Sequence, residues 1–228
     1  MLHKLEIQDW DLIDYAEALA RQEALFQLIL HEKHKLNRTQ KDFLVFCEHP
    51  HTFTLGKRGK PEDILINEKE VGSESIGVHH INRGGEVTYH GPGQMVVYPI
   101  LNLENYFTDV HKYVRFLEEA VIRTLKDFGI ISQRISGMTG VWVKGEGAFY
   151  KICALGVHLS RWISTHGIAL NINSDLKYFQ KIIPCGIVDQ EKSVTSMHVE
   201  INRYTDYQEV KQRFIYHFQH LFVPKIYG

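Results

Sequence analysis

Residues 78–100 read VHHINRGGEVTYHGPGQMVVYPI, and this stretch decides what kind of fold the chain can adopt. Two β-type runs, Val78 to Asn82 and Gln94 to Ile100, flank a segment in which four of the eleven positions from Arg83 to Gly93 are glycine. Glycine at that density marks a backbone that must turn sharply or come close to another group. Upstream, DFLVFCE at 42–48 has the texture of a buried strand, which His49-Pro50 ends. Downstream, residues 130–135, 140–144, 149–159 and 163–173 carry further strand patterns, with Lys144-Gly145-Glu146-Gly147 as a hairpin turn. Helical periodicity separates these groups. Leu12, Tyr15, Leu19, Phe26 and Ile29 form one stripe over 11–34, and Val110, Tyr113, Leu117, Val121, Leu125 and Phe128 form a second over 109–128, stopped by Gly129. A last helix starts at Thr205, where Thr205 and Gln208 stand at capping-box spacing, and buries Tyr207, Val210, Phe214, Phe218 and Leu221. The order lacks the steady β-α-β alternation of a parallel sheet. It predicts a single α+β domain over 1–228, a mixed, mostly antiparallel sheet flanked by helices.

Composition narrows the function classes. With 44% hydrophobic and 23% charged residues, the chain can build a sizeable core. Its 26 basic and 27 acidic residues give a net charge of −1, so there is no overall electrostatic footprint for nucleic acid. No apolar run approaches the roughly 18 residues of a membrane span. The start, MLHKLE, lacks a signal-peptide core. Three cysteines, an odd number without CxxC spacing, argue against a disulfide framework. A reducing cytoplasm is the expected compartment.

Those cysteines compete for a nucleophilic role. Cys47 sits in an apolar run and reads as a small core residue. Cys153 lies in a strand, where period-two alternation puts it on the face of Lys151 and makes it a rival. Cys185, between Pro184 and Gly186, falls in a loop, the natural place for an accessible thiol. Spacing alone leaves Cys153 and Cys185 both open. Lys151 interrupts an otherwise interior strand and could supply the cation that a thiolate needs. The glycines between Arg83 and His90 could let backbone N–H groups approach a ligand. Neither a phosphate loop nor a dinucleotide fingerprint is present in the sequence. His49, His51, His79, His80 and His90 are not joined by further ligands at zinc-like spacing, so no metal and no cofactor are expected.

Five pieces taken together resemble the lipoyl(octanoyl) transferase family. They are Glu48-His49-Pro50 with Phe53-Thr54-Leu55-Gly56; Arg83-Gly84-Gly85-x-Val87-Thr88-Tyr89-His90-Gly91-Pro92-Gly93-Gln94; Lys151-Ile152-Cys153-Ala154-Leu155-Gly156; His166-Gly167-Ile168-Ala169-Leu170-Asn171; and Pro184-Cys185-Gly186. The likeness departs in the hairpin at 144–150, which is a few residues longer than the family pattern leads one to expect. The resemblance implies the fold of biotin and lipoate protein ligases. It also implies a Cys–Lys dyad that falls on Cys185 and Lys151, and so favours Cys185 over Cys153. Acyl contacts are implied from Arg83, Gly84, Gly85, Glu86, Val87, Thr88, Tyr89 and His90, from Ala154, Leu155 and Gly156, and from Gly167, Ile168 and Ala169. His166 stands as a possible supporting residue.

The implied reaction moves an octanoyl or lipoyl group from acyl carrier protein to a lysine of a lipoyl domain, through a thioester on Cys185. The implied acceptors are the lipoyl domains of 2-oxoacid dehydrogenase complexes or the glycine cleavage H protein. Neither nucleic acid nor membrane enters. Three rivals remain: an ATP-dependent lipoate or biotin ligase, a non-catalytic acyl-binding module, and a thiol hydrolase. ATP consumption, an inert Cys185→Ala substitution, and release of free acid would mark them respectively.

Overall fold

The computed structural model describes residues 4–36, 41–183 and 192–225. Cys185 therefore lies outside the described residues. In chain order the elements are β1 (Lys4–Leu12), α1 (Tyr15–Leu36), β2 (Lys41–Glu48), β3 (Thr52–Leu55), α2 (Glu68–Ser73), β4 (Gly77–His80), β5 (Val87–His90) and β6 (Gln94–Ile100). They continue with α3 (Val110–Asp127), β7 (Ser132–Ile135), β8 (Met138–Lys144), β9 (Phe149–Ser160), β10 (Ile163–Asn171), β11 (Lys192–Val194), α4 (Met197–Ile201) and α5 (Tyr207–Leu221). Short 3₁₀ turns lie at Pro61–Asp63, Leu103–Asn105 and Leu176–Lys181.

Among the described residues the main sheet has eight strands, ordered β1-β2-β6-β10-β9-β8-β7, with β11 beside the start of β9. β1 runs parallel to β2 and β11 parallel to β9, while the pairs between are antiparallel. This is the mixed α+β sheet expected. A second, three-stranded sheet is ordered β4-β3-β5, so the glycine-rich segment contains a strand of its own.

Three apolar clusters hold the layers. β6 alternates between two of them: Met95 and Val97 join α3 and α5, whereas Val96, Tyr98 and Ile100 join α1. Covered on both faces, β6 is buried at every position, which is why it reads as a continuous apolar run. The third cluster, with Phe53, Leu55, Val87 and Tyr89, belongs to the small sheet.

Four expectations need correction. Residues 11 and 12 are strand, not helix: α1 starts after Asp14, whose carboxylate accepts from the N–H groups of Ala16 (2.8 Å) and Glu17 (3.3 Å), and Leu12 is exposed. The edge strand β1 escaped notice because its alternation is filled with charge. The last helix is capped by Asp206, which accepts from Gln208 N–H at 2.7 Å, rather than by Thr205, which is buried with its backbone N–H on Asn173. Lastly, Cys153 does not share a face with Lys151. The β8–β9 register shifts, Val141 pairing with Cys153 but Trp142 with Lys151, so Ile152 is an extra residue and the alternation breaks.

Candidate active site

A cavity of about 410 Å³ runs along β9 and β10 beneath the Arg83–Gly85 turn and β5. Its walls bring together residues from ten separate stretches of chain, and the bulge in β9 explains one of them. Beyond the bulge, Ile152 and Cys153 enter the α3/α5 core while Lys151 lines the cavity. Lys151 is only 8% exposed. Its ammonium lies 4.6 Å from the centre of the Trp142 ring, where the ring's negative face favours a cation. The aliphatic stem runs past Gly140.

The turn at Arg83 is bolted down by its own polar groups. The guanidinium donates to the Thr54 carbonyl (2.8 Å), the Thr54 hydroxyl (2.9 Å) and the Gly84 carbonyl (2.9 Å). Gly84 N–H donates to the Val157 carbonyl of β9 at 3.1 Å. This contact needs glycine at 156, because a Cβ there would lie 2.9 Å from both the Arg83 Cδ and the Gly84 carbonyl oxygen.

On the other wall a polar chain ties β5 to Thr195, the residue after β11. His90 Nδ1 donates to Gln94 Oε1 (2.8 Å), Gln94 donates to Asn171 Oδ1 (2.9 Å), and Asn171 donates to the Thr195 carbonyl (3.0 Å). Thr195 N–H closes onto the Lys151 carbonyl at 3.0 Å. Residues far apart in sequence therefore hold one another in place around the lysine.

Of the residues singled out from the sequence, Lys151, Arg83, Gly84, Gly85, Glu86, Val87, Thr88 and His90 line the cavity. So do Ala154, Leu155 and Gly156, with His166, Gly167, Ile168 and Ala169. Tyr89 does not. Its ring packs into the small-sheet core, where it stacks on Tyr178 at 5.0 Å and its hydroxyl meets His51 Nδ1 at 2.9 Å. Tyr15, Tyr98, Val114, Met138 and Phe179 also line the cavity and were missed. Each contributes through tertiary placement, so no local signal announces it.

Burial sets the protonation of the ionisable groups nearby. It pushes the thiols of Cys47 and Cys153 up, keeping both protonated and poorly nucleophilic. It also lowers three imidazoles: His49 to about 4, His166 to about 4 with help from the Arg83 charge, and His90 well below its ordinary value. These rings are neutral at pH 7. His166 stands at φ +58° within β10, and its N–H donates to Gln22 Oε1 at 3.0 Å. Left-handed backbone in a non-glycine strand residue is a cost that tends to be retained at working sites.

A pH prediction follows. In the unfolded chain each histidine titrates near 6.5, above its folded value, so acid protonates the unfolded state first. Stability should be full above about pH 7 and fall as pH drops from about 6.5 towards 4, by about 2 kcal/mol at pH 5 for each of His49 and His166. Denaturant midpoints at pH 7 and pH 5 check this; equal midpoints would contradict it.

The architecture defines a class first. A bipartite lipoate protein ligase from Thermoplasma acidophilum superposes with a TM-score of 0.69 at 15% identity, over 96% of this chain and 84% of that one. A biotin protein ligase from Aquifex aeolicus gives 0.53 at 12% identity, over 96% and 70%. The fold is that of the lipoate and biotin protein ligases.

Sequence then narrows the class: the chain belongs to the lipoyl protein ligase A/B catalytic domain family, whose model matches residues 14–219. Its curated relatives include the octanoyltransferase of Flavobacterium johnsoniae, 50% identical over 234 residues (99% of this chain, 100% of the relative). That of Cytophaga hutchinsonii is 48% identical over 225 residues (95% and 91%). No helix among the described residues is long and apolar enough to cross a membrane.

Proposed function

We propose that this acyltransferase moves an octanoyl group from acyl carrier protein to a lysine of a lipoyl domain, by way of a thioester on Cys185. The observation that carries the reading is a lysine, Lys151, buried to 8% exposure in the wall of a 410 Å³ cavity beside a glycine-rich turn. A buried ammonium favours an anion next to it, and a thiolate is the anion this chemistry needs. Family membership supports the assignment of Cys185, and so does the chemistry of the other two cysteines, whose thiols are held protonated by burial.

In the first half-reaction the Cys185 sulfur attacks the thioester carbonyl, an S–C bond forms, and the carrier's thiol departs with the proton the cysteine gave up. In the second, an acceptor lysine attacks the acyl-enzyme. That amine has an ordinary pKa of ~10.4 and must first lose a proton. That first proton leaves to solvent; as the neutral amine attacks, Lys151 in its neutral form takes the second proton from the nitrogen and returns it to the departing Cys185 sulfur. N–H groups of the glycine-rich segment other than that of Gly84, which is held by Val157, meet the oxyanion of each tetrahedral intermediate. The acyl chain lies against the segments at 83–88, 154–156 and 167–169.

The finer partners belong to this proposal: acyl carrier protein as donor, and as acceptors the lipoyl domains of 2-oxoacid dehydrogenase complexes or the glycine cleavage H protein, all in the cytoplasm. The covalent route makes a kinetic prediction. Initial rates at varied donor and acceptor should give parallel double-reciprocal lines, without ATP. Intersecting lines, or a strict need for ATP, would favour direct transfer or the ligase chemistry instead.

A further inference from the structure

The cavity is graded from wet to dry. Arg58, Gly137 and Thr139 at its rim are exposed, whereas Tyr15, Val96 and Tyr98 at the opposite extreme are 2%, 1% and 3% exposed. Burial of this order closes that extreme to solvent, so it can serve as a blind end. Tyr15 lines it as the first residue of α1, an element that reaches the cavity from outside the main sheet. The ring cannot swing easily. It stacks on His90 at 5.7 Å and 18°, and it is flanked by His49 at 5.0 Å and His79 at 5.1 Å. His49 in turn is fixed between the Ile13 carbonyl (2.8 Å) and the Tyr98 hydroxyl (2.7 Å). Asp14 caps the helix just before it.

From this we infer that the Tyr15 ring is the stop against which the end of the acyl chain rests, and so sets the length of acyl group accepted. The inference rests on the proposed function, because it takes the cavity as the acyl site. A chain that reaches a rigid, buried wall gains burial for every methylene up to the wall and overpacks with the next. Removing the ring should turn that wall into room. Each methylene newly buried is worth about fourfold in kcat/KM (~0.8 kcal/mol). Ala169 lines the same blind end from β10, where it is 4% exposed, so enlarging it should act in the opposite direction.

The experiment is a competition among hexanoyl, octanoyl, decanoyl and dodecanoyl carrier thioesters with the full-length protein, read as relative kcat/KM. Wild type should prefer octanoyl. Tyr15→Phe, which keeps the ring, should leave that preference alone. Tyr15→Ala should raise dodecanoyl relative to octanoyl by at least tenfold. An unchanged profile in a folded Tyr15→Ala protein overturns the inference. Should that variant fail to fold, Ala169→Val decides: a shift of at least tenfold towards hexanoyl supports the blind end, and an unshifted profile rejects it. A separate control is acyl-enzyme formation by wild type. Its absence would sink the covalent reading, whereas a normal acyl-enzyme with unmoved selectivity would sink only the role of Tyr15.

Discussion

Lys151→Met should lower octanoyl transfer by about 10³-fold while leaving the protein folded. The methionine keeps the stem that runs past Gly140 and sets a thioether where the ammonium faced the Trp142 ring, so packing is nearly preserved. What disappears is the buried cation. Taking a charge out of a buried site costs stability wherever it leaves a partner behind, so the melting temperature of the variant is read beside its rate. Loss of rate without loss of stability separates a chemical role from a structural one. Lys151→Arg should not rescue activity, because a guanidinium stays charged and cannot accept the proton of the incoming amine. Transfer within tenfold of wild type in Lys151→Met would remove this residue from the mechanism.

Gly167→Ala should be the most damaging conservative change in the cavity wall. A Cβ at that position would lie 2.0 Å from the Val97 carbonyl oxygen and 2.7 Å from the Pro99 Cδ. Both belong to β6, the strand buried on every side, so neither atom has anywhere to go. β10 begins its pairing with β6 at Ile168↔Val97, immediately after the left-handed His166, and the bare glycine lets the two backbones close together there. Overpacking of this kind costs about 3 kcal/mol or more, a fall in melting temperature of about 10 °C for a chain of this size. By contrast, Gly129→Ala has open space around it and should cost only what its positive φ demands, about 1 kcal/mol. Equal melting temperatures for Gly167→Ala and wild type would show that β6 yields where it looks rigid.

Both predictions bear on what could be read in advance. Helix α3 was legible because its signals are local: Asp109 accepts from Lys112 N–H at 2.9 Å, and Gly129 ends the helix with φ +78°. The glycine-rich segment was legible for the same reason, since the need for close approach is written into its composition. The face presented by Lys151 was not. Strict alternation pairs it with Cys153, and the bulge that separates them depends on β8 lying alongside. Tyr15 and Tyr98 were invisible as site residues because their roles arise where α1 and β6 converge, some eighty positions apart. Asp206 displaced Thr205 as helix cap because Asn173 captures the Thr205 backbone, a contact from another part of the chain. Chemistry carried by composition and short spacing could be read; chemistry carried by packing could not.

The central claim is that the acyl group rests on sulfur at position 185 during transfer. Intact-mass measurement of the protein after mixing with octanoyl carrier protein, before any acceptor is added, addresses it most directly. The expected spectrum shows one octanoyl adduct on wild type and on Cys153→Ser, none on Cys185→Ser, and loss of the adduct when a lipoyl domain is supplied. An adduct that persists in Cys185→Ser, or full transfer activity in that variant, would contradict the account.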